Sequence, residues 1–130
     1  MVGTTFGPEN ADVQYNRGKV CFARGDYEEA VEAFTEAIAI NDHDPDVYYQ
    51  RAKAYMARRN FLRAIDDYSA AIRLNPQFVE AYRDRGTAYY RLGALSDARN
   101  DLQQALQLDP DPEQAAYLRQ RLEEWRLPLR

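Results

Sequence analysis

A period of 34 residues constrains this chain more than any other feature. The segment YYQRAKAYMARRNFLRAIDDYSAAIRLNP begins at Tyr48 and ends at Pro76. Shifted 34 places toward the C-terminus it falls on YRDRGTAYYRLGALSDARNDLQQALQLDP. Shifted the same distance the other way it falls on QYNRGKVCFARGDYEEAVEAFTEAIAIND, and neither shift needs a gap. A fixed period of this length describes one supersecondary unit used three times. Each unit is too small to bury its own apolar face and must stack on the next.

Within a unit the apolar residues recur at helical spacing. Tyr48, Ala52 and Tyr55 form one stripe, and Ala64, Tyr68, Ala71 and Ile72 form another. The pattern predicts helices over 11–24 and from the cap at Asp26 to about Ile40, then over 45–58 and 61–74, 79–92 and 95–108, and a last one from about 111 toward Trp125. Asn10, Asp26 and Asn60 read as N-caps, with Glu29 completing a capping box after Asp26. Gly25 and Gly93 suit the left-handed residue that ends a helix, and Arg59 holds the same place less favourably. Pro45 fits a first helical position, while Asn75-Pro76, Asp109-Pro110 and Pro128 act as stops. The expected organisation is a loose tail over 1–10, a single domain over 11–126 and a short tail over 127–130. The domain divides into units 11–44, 45–78 and 79–112 and a capping helix over 112–126.

Small and large side chains alternate at matched places in the three units. Gly18, Ala52 and Gly86 are one small set; Ala30, Ala64 and Ala98 a second; Ala37, Ala71 and Ala105 a third. The bulky sets are Cys21, Tyr55 and Tyr89; Tyr27, Phe61 and Leu95; Phe34, Tyr68 and Leu102. This arrangement over 11–112 resembles the tetratricopeptide repeat. The resemblance implies an all-α fold, an α-solenoid of three antiparallel helix-turn-helix units closed by a terminal capping helix. Gln14 departs from the aromatic that the family often carries near the start of the first helix, where Tyr48 and Tyr82 conform.

Arg17, Arg51, Arg85 and Arg119 stand where many members of the family have Leu. One reading is an inter-repeat ladder with Asp67 and Asp101 as partners; the other is an anion-binding row. In the final helix Ala115, Leu118 and Leu122 face the third unit, and Arg121, Glu123 and Glu124 face water. Trp125, Leu127 and Leu129 lie beyond that face, free to fold back or to form a small contact site.

The bulk numbers exclude several functions. A net charge of −4 gives no basic face to replace phosphate counterions, so no nucleic-acid partner is expected. Charge is nonetheless uneven: 11–44 holds three basic and eight acidic residues, whereas 45–78 holds six and three. That polarity either steers a partner or draws neighbouring units together. The opening MVGTTFGPEN is unlike a signal peptide, and no run approaches the roughly 20 apolar residues of a membrane helix. With one cysteine, Cys21, no internal disulfide forms, and the expected setting is cytoplasmic. His43 has no second histidine or cysteine pair beside it, so neither metal nor cofactor is expected. A Cys–His nucleophile would need Cys21 and His43, yet Cys21 shares the core register of Tyr55 and Tyr89. The chain is not expected to be an enzyme.

In the family the first helix of each unit lines a concave groove for a peptide or a helix. By register this implies a site of Tyr15, Asn16 and Lys19, then Tyr49, Gln50 and Lys53, then Arg83, Asp84, Thr87 and Tyr90, with Tyr117 at the far end. The tyrosines would supply area, and Lys19, Lys53 and Arg83 orientation. Members that hold the acidic C-termini of heat-shock chaperones carry Lys and Asn, then Asn, then Lys and Arg. The matching places here read Tyr15 and Lys19, then Gln50, then Glu80 and Asp84, so that dicarboxylate clamp is not expected. The implied function is a non-catalytic adaptor that binds another protein, as a monomer or weak homo-oligomer. The alternative is a self-assembling or accessory subunit of a larger complex that uses its convex face or its ends.

Overall fold

The computed structural model describes residues 8–108 and 110–126. The expectations for residues 1–7, for Asp109 and for 127–130, with Leu127, Pro128 and Leu129 among them, lie outside the described residues. Among the described residues the chain forms seven helices and no strand. They are α1 (Pro8–Arg24), α2 (Tyr27–Ile40), α3 (Pro45–Ala57), α4 (Phe61–Leu74), α5 (Val79–Arg91), α6 (Leu95–Gln107) and α7 (Pro112–Arg126). Each odd helix pairs with the even helix after it, each even helix also packs on the next odd one, and α7 covers α6. The result is an all-α solenoid of three hairpins and a closing helix.

The hairpins hold together where the period predicts. Ala30, Ala64 and Ala98 are fully buried at equivalent places on α2, α4 and α6. Beside them Phe34, Tyr68 and Leu102 fill the space between the two helices of each unit, and burying a ring such as that of Phe34 contributes about 1.5–3 kcal/mol. Opposite the bulky residue the other helix must be small. A Cβ on Gly18 would come within 2.4 Å of the Phe34 ring, and one on Gly86 within 3.0 Å of Leu102 Cδ2.

The turns inside the hairpins need one left-handed residue each. Gly25 and Gly93 supply φ of +86° and +81°, and Arg59 adopts +62° at the equivalent place despite its Cβ. Asp44 and Asn60 cap their helices by accepting from the backbone N–H of Asp46 and Arg63. Two expected caps differ. Helix α1 begins at Pro8, where a fixed φ suits the first helical position, so Asn10 lies within the helix rather than at its end. Asp26 flanks α2 as expected but its carboxylate makes no capping bond; its carbonyl accepts from Ala30 N instead.

Two members of the arginine row, Arg51 and Arg85, pair with the expected aspartates. Arg51 on α3 makes two parallel bonds to Asp67 on α4, and Arg85 on α5 does the same to Asp101 on α6. These pairs join the two helices of one unit, not neighbouring units as expected. The step between units comes from the remaining nitrogen: Arg51 Nη1 donates to Thr35 Oγ1 on α2 and Arg85 Nη1 to Ser69 Oγ on α4, both at 3.0 Å. In the first unit Ala33 occupies the aspartate place, and Arg17 turns to Gln14 and Glu36. Arg119 is exposed on α7. At the C-terminal end Trp125 belongs to α7, and its ring folds back to stack on Tyr90 at 4.2 Å and 9°.

Candidate functional site

The odd helices bring one side of each unit onto a common face, and most of the expected site residues meet there. On α1, Tyr15 lies half-buried against Phe34, with the Lys19 ammonium 4.7 Å above its ring. Burial, then the charges of Asp46 and Asp44, hold the Tyr15 phenol above its ordinary pKa. Asn16 and Lys19 are exposed, and Gln50 is half-buried on α3. Lys53 spans two units, its ammonium 5.4 Å from the Phe22 ring and 5.5 Å from the Tyr49 ring.

Tyr49 is the main correction. Expected as an open contact ring, it is 9 % exposed and packs between Tyr68 at 5.7 Å and Phe78 at 4.8 Å. Its hydroxyl donates to Asp84 Oδ2 at 2.6 Å, so it is a core residue that positions a surface carboxylate. Burial above all, and then the neighbouring Asp84 charge and hydrogen bond, push its pKa far up.

Asp84 is committed elsewhere as well. Arg83 Nε donates to its Oδ1 at 2.9 Å, and Arg83 Nη1 donates to Gln114 Oε1 on α7 at 3.0 Å. Burial pulls the Arg83 pKa down, but the bond to and charge of Asp84 outweigh it and leave the guanidinium above its ordinary value. The Thr87 hydroxyl donates to Arg83 O, one turn back on its own helix. Tyr90 is half-buried under Trp125, leaving only part of its ring toward the face. Tyr117 is 40 % exposed, with Arg121 stacked 5.0 Å from its ring.

Two shallow depressions flank Tyr117. One, of about 350 Å³, is lined by Arg83, Asp84, Glu113 and Gln114; the other, of about 310 Å³, by Thr87, Tyr90, Arg121 and Trp125 among others. At the N-terminal ends of α3 and α5 the charge is acidic, from Asp46 and Glu80. Burial and Asp44 raise the Asp46 carboxyl pKa above its usual range; Lys19 opposes that shift and Glu80 adds to it. Glu80 accepts from Gln114 Nε2 at 3.4 Å.

Asp46, Gln114 and Phe22 join this face without having been singled out in the sequence, and Arg121, expected to face water, stacks on Tyr117 there. The first two were legible there: Asp46, Glu80 and Gln114 share one register of the period. No group of three or more His, Cys, Asp or Glu could hold a metal ion among the described residues. No described helix is long and apolar enough to cross a membrane.

A family profile described as "Tetratricopeptide repeat" matches residues 50–123, and another described as "TPR repeat" matches 18–58. Among solved structures the chain is similar to the first TPR of Spaghetti (RPAP3) bound to the HSP90 peptide SRMEEVD. The identity is 28% over 98% of both chains, with a TM-score of 0.87. It is similar to the Arabidopsis OM64 TPR domain at 30% identity, over 90% of this chain and 97% of that one, with a TM-score of 0.84. It also resembles the second TPR domain of human RPAP3 in complex with the HSP70 peptide SGPTIEEVD, at 31% identity over 92% and 98% of the chains and a TM-score of 0.83. The comparison with curated proteins gives no match.

Proposed function

The chain belongs to the tetratricopeptide repeat family, and from that premise we propose that it is a non-catalytic adaptor that binds a segment of a partner protein. The segment lies across the common face of α1, α3, α5 and α7, with residues 11–126 as the working unit. The observation that carries this reading is the fixed geometry of Arg83, whose guanidinium is held by Asp84 and Gln114 beside the exposed Tyr117 ring. A face whose side chains are already positioned loses less conformational entropy on binding. Tyr15, Asn16, Lys19, Gln50, Lys53, Thr87, Tyr90 and Tyr117 offer contact area and hydrogen-bonding groups; Tyr49 acts by holding Asp84.

Two of the similar structures named above are bound to acidic chaperone peptides, SRMEEVD and SGPTIEEVD. This chain is proposed to refuse the doubly charged carboxylate end of such a peptide. At the matching places Glu80 sits near Asp46, and Asp84 is already occupied by Arg83 and Tyr49. Each close like-charge contact costs on the order of 1 kcal/mol near a surface. The proposed setting is the cytoplasm, which suits the buried free thiol of Cys21.

Panning a displayed peptide library against the chain tests the proposal. Selected peptides are expected to lose affinity for Lys53→Glu combined with Tyr117→Ala, while the synthetic peptide SRMEEVD fails to compete. Selected binders indifferent to both substitutions would remove the groove from the account, and strong competition by SRMEEVD would reverse the charge argument.

A further inference from the structure

The first helix carries a second surface, turned away from its own hairpin. Val13 and Val20 on α1 are 61% and 50% exposed. Their register partners are not. Val47 and Ala54 on α3 are 4% and 0% exposed beside Phe34 and Ala37 of α2, and Ala81 and Ala88 on α5 are wholly buried. The positions that the second and third units use to receive the preceding unit's second helix therefore lie open in the first.

The polar positions between them are open in the same way. Arg51 and Arg85 each give one N–H to a hydroxyl of the preceding unit, Thr35 or Ser69. Arg17, their counterpart, bonds within its own hairpin instead. Arg58 lies 3.9 Å from Glu28 on α2, and its counterpart Arg24 is exposed. Val13, Arg17, Val20 and Arg24 follow one another at helical spacing of four, three and four, which makes a single stripe of alternating apolar and cationic side chains.

We propose that this stripe is a docking surface for an amphipathic helix of another protein. The partner chemistry follows from α2, the helix that covers the equivalent stripe in the second unit: a carboxylate two turns before a hydroxyl, as Glu28 precedes Thr35, with an apolar side chain at the helical step between them, as Val31 stands there. The carboxylate meets Arg24 and the hydroxyl meets Arg17. A second copy of this chain fits less well. Two α1 helices packed about a two-fold axis would set Arg17, midway between the valines, against its own copy, and like charges so placed repel.

The surface is distinct from the peptide face, so either proposal can fail alone. The test uses a synthetic peptide with the sequence of residues 26–42 as the probe, added to isotope-labelled full chain and followed by amide chemical shifts. Saturable shifts confined to α1 are expected. Roughly tenfold weaker binding is expected for Arg17→Glu with Val20→Glu, for a peptide carrying Glu28→Lys, and not for Lys53→Glu. Three outcomes would overturn the proposal: no shifts at millimolar peptide, shifts centred on α3 or α5, or binding that survives the double substitution. Sedimentation of the chain alone decides the occupant, since a dimer dissociated by Val20→Glu would hand the surface to a second copy. Tighter peptide binding after deletion of residues 1–7 would hand it to the chain's own leading segment.

Discussion

Arg51 and Asp67 face each other across α3 and α4 through two parallel bonds, Nε to Oδ2 at 2.7 Å and Nη2 to Oδ1 at 2.8 Å. The Asp67 side chain is 7% exposed, so this carboxylate has traded water for one guanidinium. Burial raises the Asp67 carboxyl pKa above its usual range while the Arg51 bonds and charge oppose that rise; on the other side burial lowers the Arg51 pKa, and the Asp67 bonds and charge outweigh it. One unit later Arg85 repeats the grip on Asp101. A planar guanidinium fork thus fixes the angle of a hairpin and also reaches the unit before it.

Removing one partner is predicted to do more harm than removing both. Arg51→Leu leaves Asp67 buried and alone, a loss of about 3–5 kcal/mol, whereas Arg51→Leu with Asp67→Leu recovers most of it. Urea unfolding measures both, and peptide binding to the common face stays unchanged. A single variant as stable as the parent would mean that the pair does not hold the hairpin.

Gly18→Ala is predicted to destabilise although alanine favours a helix. The gain in helix propensity is about 1 kcal/mol. Against it stands a new Cβ within 2.4 Å of a fully buried Phe34 ring, and overpacking of this kind costs about 1–3 kcal/mol. Adding Phe34→Leu, which imitates the Gly86–Leu102 pair of the third unit, is expected to restore part of the loss in a thermal melt.

Arg59→Gly runs the other way. A side chain at φ +62° costs about 1–2 kcal/mol, and both equivalent turns use glycine. The substitution also removes the stacking of Arg59 on Phe61, worth about 0.5–1 kcal/mol at an exposed site. A net rise in stability of about 0.5 kcal/mol is expected by denaturant midpoint, and a fall would show that the stacking outweighs the backbone strain.

Alkaline pH is predicted to unfold the protein through Tyr49 and Tyr68. Burial first, and the Asp84 charge second, raise both phenols above their ordinary value of 10.0. In the unfolded chain they ionise near that value, and in the folded one they stay neutral. Their contribution is therefore complete below about pH 10 and is lost as the pH climbs from there toward the folded values. Melting temperature is expected to drop beyond pH 10, and the drop to shrink in Tyr49→Phe with Tyr68→Phe. An identical drop in that variant would place the effect on other groups.

Periodicity alone determined the architecture, because a side chain's place in a 34-residue unit dictates which helix face it occupies. Phe61–Leu74 begins and ends as its cap and stop require, and Ala30, Ala64 and Ala98 sit at equivalent crossings. Periodicity does not say how deep a face lies once a neighbour overhangs it. Tyr15 and Tyr49 share a register, yet Tyr49 is buried because Phe78 in the following link packs against its ring, whereas the matching link residue beside Tyr15 is Asp44. The same holds for charge: Asp67 was recognisable as a partner of Arg51, but only the packed helices decided that the bond closes a hairpin and that a hydroxyl, Thr35, makes the step between units. Depth and partner choice depend on residues from different units meeting in space, and one unit's pattern carries no record of that meeting.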